Sequence, residues 1–170
     1  GMSYTDFLER KTQLGSAGGF DPIEMPDVLF GFQRELTEWA IRQGRGAIFA
    51  DCGMGKTLME LTWADNVYRH TGNPVILFTP LAVGFQIQAE AARWGFDAAM
   101  SRNGQVSTPI TITNYEQIEK FDPWEFGGVV CDESSVIKAY DGQRRVQVTE
   151  FMKKHKYRLL GTATAAPNDY

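Results

Sequence analysis

At 170 residues the chain has the length of one domain with a real core and falls short of two full ones. Its 43% hydrophobic, 12% aromatic and 22% charged residues exclude a disordered or fibrous chain, and a net charge of −4 argues against gripping nucleic acid by bulk electrostatics. No apolar run approaches the roughly 20 residues needed to span a bilayer and no basic-then-apolar leader opens the chain, so the expectation is a cytoplasmic protein without a membrane partner.

In chain order, Gly1 ahead of Met2 reads as a cloning remnant, "YTDFLERKTQL" (4 to 14) as a short helix, and "GSAGG" (15 to 19) as a flexible joint. Residues 1–28 are therefore expected to be an extension ahead of one domain, 29–170. A helix over 33 to 43 ("QRELTEWAIRQ") leads into the first of five short apolar runs. These are "GAIFAD" (46 to 51), "PVILFTP" (74 to 80), "PITIT" (109 to 113), "GGVVCDE" (127 to 133) and "YRLLGT" (157 to 162). Each is nearly continuous rather than alternating, the pattern of a strand buried on both faces.

Between the runs lie segments of helical spacing. Residues 56 to 70 set Leu58, Leu61, Thr62 and Ala64 on one side, with Gly72 as a stop; 82 to 94 do so with Val83, Ile87, Ala91 and Trp94, and 143 to 155 with Val146, Phe151 and Met152. Strand alternating with helix predicts right-handed crossovers and a mainly parallel, doubly wound α/β sheet with helices on both faces.

The chemistry begins in "FADCGMGKTLMEL" (49 to 61), where a strand end, a glycine-containing turn and a helix start converge. Backbone N–H groups at a helix N-terminus favour an anion there. Gly53, Met54, Gly55, Lys56, Thr57 and Leu58 are the expected phosphate cradle, with Lys56 adding a positive charge at the β and γ phosphates and the Thr57 hydroxyl a ligand for Mg²⁺. The P-loop pattern G-x-x-x-x-G-K-[ST] is met as A-D-C-G-M-G-K-T, with Ala50 in the place of the first glycine. The other reading of these residues is a structural turn. "GGVVCDESS" supplies acids at a second strand end, where Asp132 is expected to hold Mg²⁺ and Glu133 to orient and deprotonate the attacking water.

A-x-x-G-x-G-K-T followed by D-E-S-S resembles the N-terminal RecA-like P-loop domain of superfamily 2 helicases, nearest the chromatin-remodeller (Swi/Snf-like) type in a bacterial or phage-borne form. Further segments agree in order. "LFGFQ" (29 to 33) resembles the Q motif, "FTPLAVGFQIQAEAARW" (78 to 94) motif Ia, "ITNYEQI" (112 to 118) the segment along the nucleic acid strand, "DESSVIK" (132 to 138) motif II and "GTATAAPN" (161 to 168) motif III. The resemblance spans residues 29 to 168. It implies an ATP-binding, nucleic-acid-dependent motor domain, DNA being the expected polymer rather than RNA.

On that resemblance Gln33 reads adenine, its amide suiting the N6 and N7 edge. Phe30 or Phe32 would stack on the base or pack in the core. Thr79, Pro80, Leu81, Thr113 and Asn114 would touch the strand or merely cap helices. Thr162 and Thr164 would couple ATP state to strand binding. The same resemblance implies a second RecA-like domain carrying the arginine fingers, so these residues alone are expected to be monomeric and to turn ATP over weakly, a finger being worth about 10³ to 10⁵ in rate. A P-loop kinase, a GTPase and a catalytically silent module are the rival readings; no N-K-x-D guanine-reading segment is present.

Three features stand outside this scheme. Cys52 and Cys131 form no C-x-x-C pair and read as small buried apolar residues, and His70 and His155 as surface residues near helix ends. From Lys138 to Arg158 the chain carries Lys138, Arg144, Arg145, Lys153, Lys154, Lys156 and Arg158 against Asp141 and Glu150, either a solvated helix face or a phosphate-facing edge.

Overall fold

The computed structural model describes residues 18–49 and 55–162. The expected helix at 4 to 14 lies outside them. Six strands form one sheet: β1 (Arg45–Phe49), β2 (Val75–Thr79), β3 (Ala98–Met100), β4 (Ile110–Asn114), β5 (Gly128–Cys131) and β6 (Tyr157–Thr162). All pairings are parallel, in the order β1-β6-β5-β2-β4-β3. Four helices connect them: α1 (Gly31–Gln43), α2 (Lys56–Thr71), α3 (Leu81–Trp94) and α4 (Gly142–Lys153). This is the doubly wound α/β fold expected, with one strand more than the five apolar runs. β3 escapes a reading by apolar runs because "AAM" is three residues long, half-buried and paired on one side only.

The nearly continuous apolar strands have a direct cause: alternate residues serve two separate cores. On β2, Val75 and Leu77 join the core under α1, α2 and α3, whereas Ile76 and Phe78 join the core under α4 with Tyr115, Phe126 and Phe151. β5 divides likewise, Val130 to the first and Val129 and Cys131 to the second. A strand with both faces covered has no solvent side on which to place polar residues. The Cys131 thiol is buried, and that burial pushes it up to about 12, so it packs as the small apolar residue expected.

Helix faces follow the sequence unevenly. α2 is buried almost all round, taking in Met59, Trp63 and Val67 besides the predicted Leu58, Leu61, Thr62 and Ala64, and it stops at Gly72 with φ 73°. On α3, Ile87 and Ala91 are buried while Trp94 is exposed. On α4 the predicted Val146 is exposed and Val148 is buried in its place beside Phe151. His155, expected at the surface, is buried with ring nitrogens 2.9 Å from the Phe151 carbonyl and 2.8 Å from that of Pro123.

The stretch before α1 is held rather than loose. Gly19 donates its N–H to the Arg42 carbonyl at 3.0 Å, and a Cβ on it would sit 1.9 Å from the Ile41 oxygen, so only glycine fits that approach. Phe20 stacks on His70 with centroids 4.0 Å apart, and Phe20, Met25 and Val28 pack against the first core. Asn66, fully buried on α2, accepts from Ile23 and Glu24 N–H at 2.7 and 3.0 Å and donates to the Glu24 and Thr62 carbonyls at 2.8 Å. Replacing Asn66 by alanine strands three backbone groups of residues 23 and 24. The expected loss is about 2 to 4 kcal/mol in urea unfolding, with earlier protease cleavage within residues 20 to 28.

Candidate functional site

Parallel strands bring all their carboxyl ends to one edge, which is where open α/β sheets bind ligands. β1 and β5 are not neighbours, for β6 runs between them. A side chain leaving the end of β1 must therefore reach over β6 to meet one at the end of β5. Lys56, the first residue of α2, does so. Its ammonium is buried, 3.2 Å from Asp132 Oδ1, and hydrogen-bonds to Glu133 Oε1. Burial pulls the Lys56 ammonium down, but the charge of Asp132, aided by Glu133 and Glu60, outweighs it and leaves the group above its ordinary value.

Each acid is fixed by its strand. The Asp132 N–H continues the ladder to the Phe78 carbonyl at 2.7 Å, its carbonyl accepts from the Tyr115 hydroxyl at 2.7 Å, and its Oδ2 accepts from Thr79 Oγ1 at 2.7 Å. Glu133 follows with φ 50° and ψ 48°, the sole non-glycine at positive φ among the described residues. Such a left-handed backbone costs a side-chain-bearing residue on the order of 1–3 kcal/mol. It turns the chain so that adjacent residues serve different purposes: Asp132 is buried, while Glu133 keeps about a quarter of its side chain in solvent.

At the start of α2, Gly55 has φ 80°. A Cβ there would fall 2.7 Å from Gln33 Nε2, so the glutamine amide of α1 lies directly against the turn that precedes Lys56. The structure thus brings together Gln33, Gly55, Lys56, Asp132 and Glu133, with half-exposed Thr57 and buried Leu58 following Lys56 in the first turn of α2. Gly53, Met54 and Thr164 lie outside the described residues. Thr162 closes β6, buried. Phe30 and Phe32 are exposed, 72% and 47%, which removes the core-packing alternative for both.

The expected strand contacts divide. Thr79, Thr113 and Asn114 are buried, with the Thr79 hydroxyl engaged by Asp132 and Asn114 Nδ2 by Glu116. These side chains are enclosed by the protein. Pro80 and Leu81 alone of the five reach solvent, at the head of α3.

Sequence reasoning missed Glu60. It sits one turn beyond Lys56, fully buried, and its carboxylate oxygens have no donor as long as it is ionised. Gly161 on the intervening β6 makes the space, since a Cβ there would lie 1.9 Å from Glu60 Oε2. Burial first, then the charge and hydrogen bond of Asp132, push the Glu60 carboxyl well above the usual carboxylate range. As a neutral acid it has a proton to share with Asp132. The only hint in the sequence is a single acid inside the apolar helix run "LMELTWA".

The pH dependence of this group follows from its direction. Above the ordinary carboxylate pKa the unfolded chain releases the Glu60 proton and the fold keeps it, so the folded state binds more protons and stability falls as pH rises. Glu60→Gln keeps a donor for Asp132 and removes that loss. Its melting-temperature advantage over the parent, followed by circular dichroism, should widen as pH rises above the ordinary carboxylate range. The corresponding slope is at most about 1.4 kcal/mol per pH unit for one proton.

No family model matches the chain. Protein p41 of Acyrthosiphon pisum secondary endosymbiont phage 1 is 25% identical over 150 residues, a match that takes in 73% of this chain and 33% of the phage protein. The chain thus spans about a third of the length of that relative. Among solved structures, the Sulfolobus solfataricus SWI2/SNF2 ATPase core in complex with dsDNA superposes with a TM-score of 0.72 at 20% identity, over 88% of this chain and 36% of that one. The UvsW helicase from bacteriophage T4 gives 0.67 at 14% identity, over 96% and 61%. The S. solfataricus SWI2/SNF2 ATPase core domain gives 0.69 at 20%, over 85% and 33%. At these identities the likeness is one of fold, and the fold is the RecA-like α/β domain of helicase and SWI2/SNF2 ATPase cores.

Proposed function

We propose that these residues form the ATP-binding motor domain of a nucleic-acid-dependent ATPase of the superfamily 2, Swi/Snf-like helicase or translocase type. One observation carries the reading: Lys56, at the start of the helix after β1, meets Asp132 and Glu133, at the end of β5, across the intervening strand. A structural turn would give no reason to bury a lysine against two acids at the ligand-binding edge.

In this reading the Lys56 ammonium and the N-terminal N–H groups of α2 bind the triphosphate, drawing Lys56 from its acidic partners. Gln33, lying against Gly55, carries an amide whose donor and acceptor suit the adenine edge, and exposed Phe30, the N-cap of α1, and Phe32 in its first turn offer rings for the base. Asp132 suits Mg²⁺: a hard carboxylate oxygen, Oδ1, lacks an aligned hydrogen bond, and the Thr57 hydroxyl lies in the first turn of the facing helix. Bound there with ATP, Mg²⁺ would neutralise charge on the β and γ phosphates. Glu133, partly open to solvent, orients water and accepts its proton.

Turnover in this scheme requires a second RecA-like domain to supply arginine fingers, and the polymer is DNA. The SWI2/SNF2 core that the chain resembles in fold is a DNA complex, which supports that choice. Pro80 and Leu81 are the residues that remain available to the strand, and Thr162 and Thr164 the coupling element.

Calorimetry with MgATP tests the site. Lys56→Ala should weaken binding at least about 100-fold. Glu133→Gln should bind within a few-fold of the parent yet lower turnover about 10²- to 10⁴-fold in the protein that carries both motor domains. GTP binding tighter than ATP, or undiminished turnover in Glu133→Gln, would overturn the assignment.

A further inference from the structure

The opposite end of the sheet carries a second charged feature that the nucleotide chemistry does not use. A cavity of about 360 Å³ opens where β1 and β6 begin and where α1 and α4 end. Its lining includes Arg45, Lys153, Lys156 and Arg158, and no Asp or Glu. These cations gather in a chain whose net charge is −4.

Two bland explanations fall short in magnitude. Helix C-termini attract cations, and two point here, but each carries roughly half a negative charge, about −1 in all against four formal positive charges. Ion pairing does little more, since Lys153 is exposed and its Glu150 partner is 3.8 Å away. The parallel register also sets Arg45 directly beside Arg158 on the adjacent strand, and like charges at such positions are destabilising.

One lining residue also carries an unmet donor. Gln43 Nε2, at the end of α1, is buried without a hydrogen-bond partner. Arg158 is held by its Nη1 bond to the Met152 carbonyl at 3.3 Å, and the Lys156 ammonium lies 5.5 Å over the Tyr157 ring. His155 is not available to a ligand, both of its ring nitrogens facing backbone carbonyls. Anchored cations beside an unmet amide donor are the arrangement that takes phosphate oxygens.

We propose that this cavity at the foot of β1 and β6 is a phosphate-backbone site for nucleic acid, separate from the ATP edge. The five residues of β1 stand between the two, roughly 17 Å at the usual rise per residue. The choice of polymer rests on the motor reading above; the presence of an anion site does not. Within the basic run 138 to 158, Lys153, Lys156 and Arg158 then face a phosphate, Arg145 and Lys154 are solvated, and Arg144 is bonded to Gln147.

The test compares two charge-matched pairs of exposed residues in the 170-residue chain. Arg45→Gln with Lys156→Gln lies in the cavity; Arg145→Gln with Lys154→Gln does not. Binding of a fluorescein-labelled 20-base-pair duplex is followed by anisotropy from 25 to 200 mM NaCl, and ATP binding by calorimetry on the same samples. The cavity pair should flatten the slope of log K against log salt by roughly 1.8 units, two contacts at about 0.9 each, and the outer pair by far less. Equal effects from both pairs, or none from the cavity pair, overturn the proposal. A cavity that binds pyrophosphate while the duplex slope stays unchanged also overturns it, by assigning the site to a small phosphate. If the duplex responds as expected but no variant and no parent binds ATP, the cavity stands and the motor reading falls. If ATP binds and the duplex ignores the cavity, only the cavity proposal is lost.

Discussion

A buried lysine among carboxyl groups is the constraint around which the ligand edge is organised. Lys56, Asp132, Glu133 and Glu60 come from two segments more than 70 residues apart, and they meet only because β6 spaces β1 from β5 by one strand. Burying one ammonium requires a counter-charge, and burying two or three carboxylates beside it would leave an excess of negative charge. The arrangement resolves this by degree of exposure. Asp132 is buried against the ammonium, Glu133 stays partly hydrated, and burial pushes the Glu60 carboxyl well above the usual carboxylate range. On the proposed function, a site balanced in this way offers an incoming phosphate a cation and leaves an acidic oxygen free once that cation moves.

The surrounding fold serves that balance. Tyr115 and Thr79 fix Asp132 from the β4 and β2 ends, and Gly161 leaves room for Glu60 over β6. Because the two cores take alternate residues of the same strands, the strand ends are clamped from both faces. Tyr115 belongs to the core under α4, so packing on that face reaches the Asp132 carbonyl directly.

The parts of this that were readable in the sequence are those set by local pattern. Nearly continuous apolar runs marked five strands, helical spacing marked three of the helices, and Gly72 marked the end of one. That Lys56, Asp132 and Glu133 lie at strand ends was legible from strand–turn–helix order, whereas Gln33 stood only on the resemblance of "LFGFQ" to the Q motif. What was not legible depends on packing partners distant in sequence. β3 is too short for any periodicity, and the buried side of α4 is set by Tyr115 and Phe126 rather than by its own spacing. Glu60, His155 and the buried Thr79 hydroxyl look like surface chemistry until the neighbours that satisfy or enclose them are known.

The left-handed backbone at Glu133 has a consequence for how this position can vary. Glycine would relax the main chain there, and asparagine would ease it, so selection for folding alone would drift toward either. On the role proposed for Glu133, a glutamate at φ 50° is a trade-off in which part of the domain's thermodynamic margin goes to holding one carboxylate beside Lys56. If Glu133 acts on water as proposed, thermostabilising screens that score melting temperature without activity would be drawn to this residue and would return hardier but inert proteins.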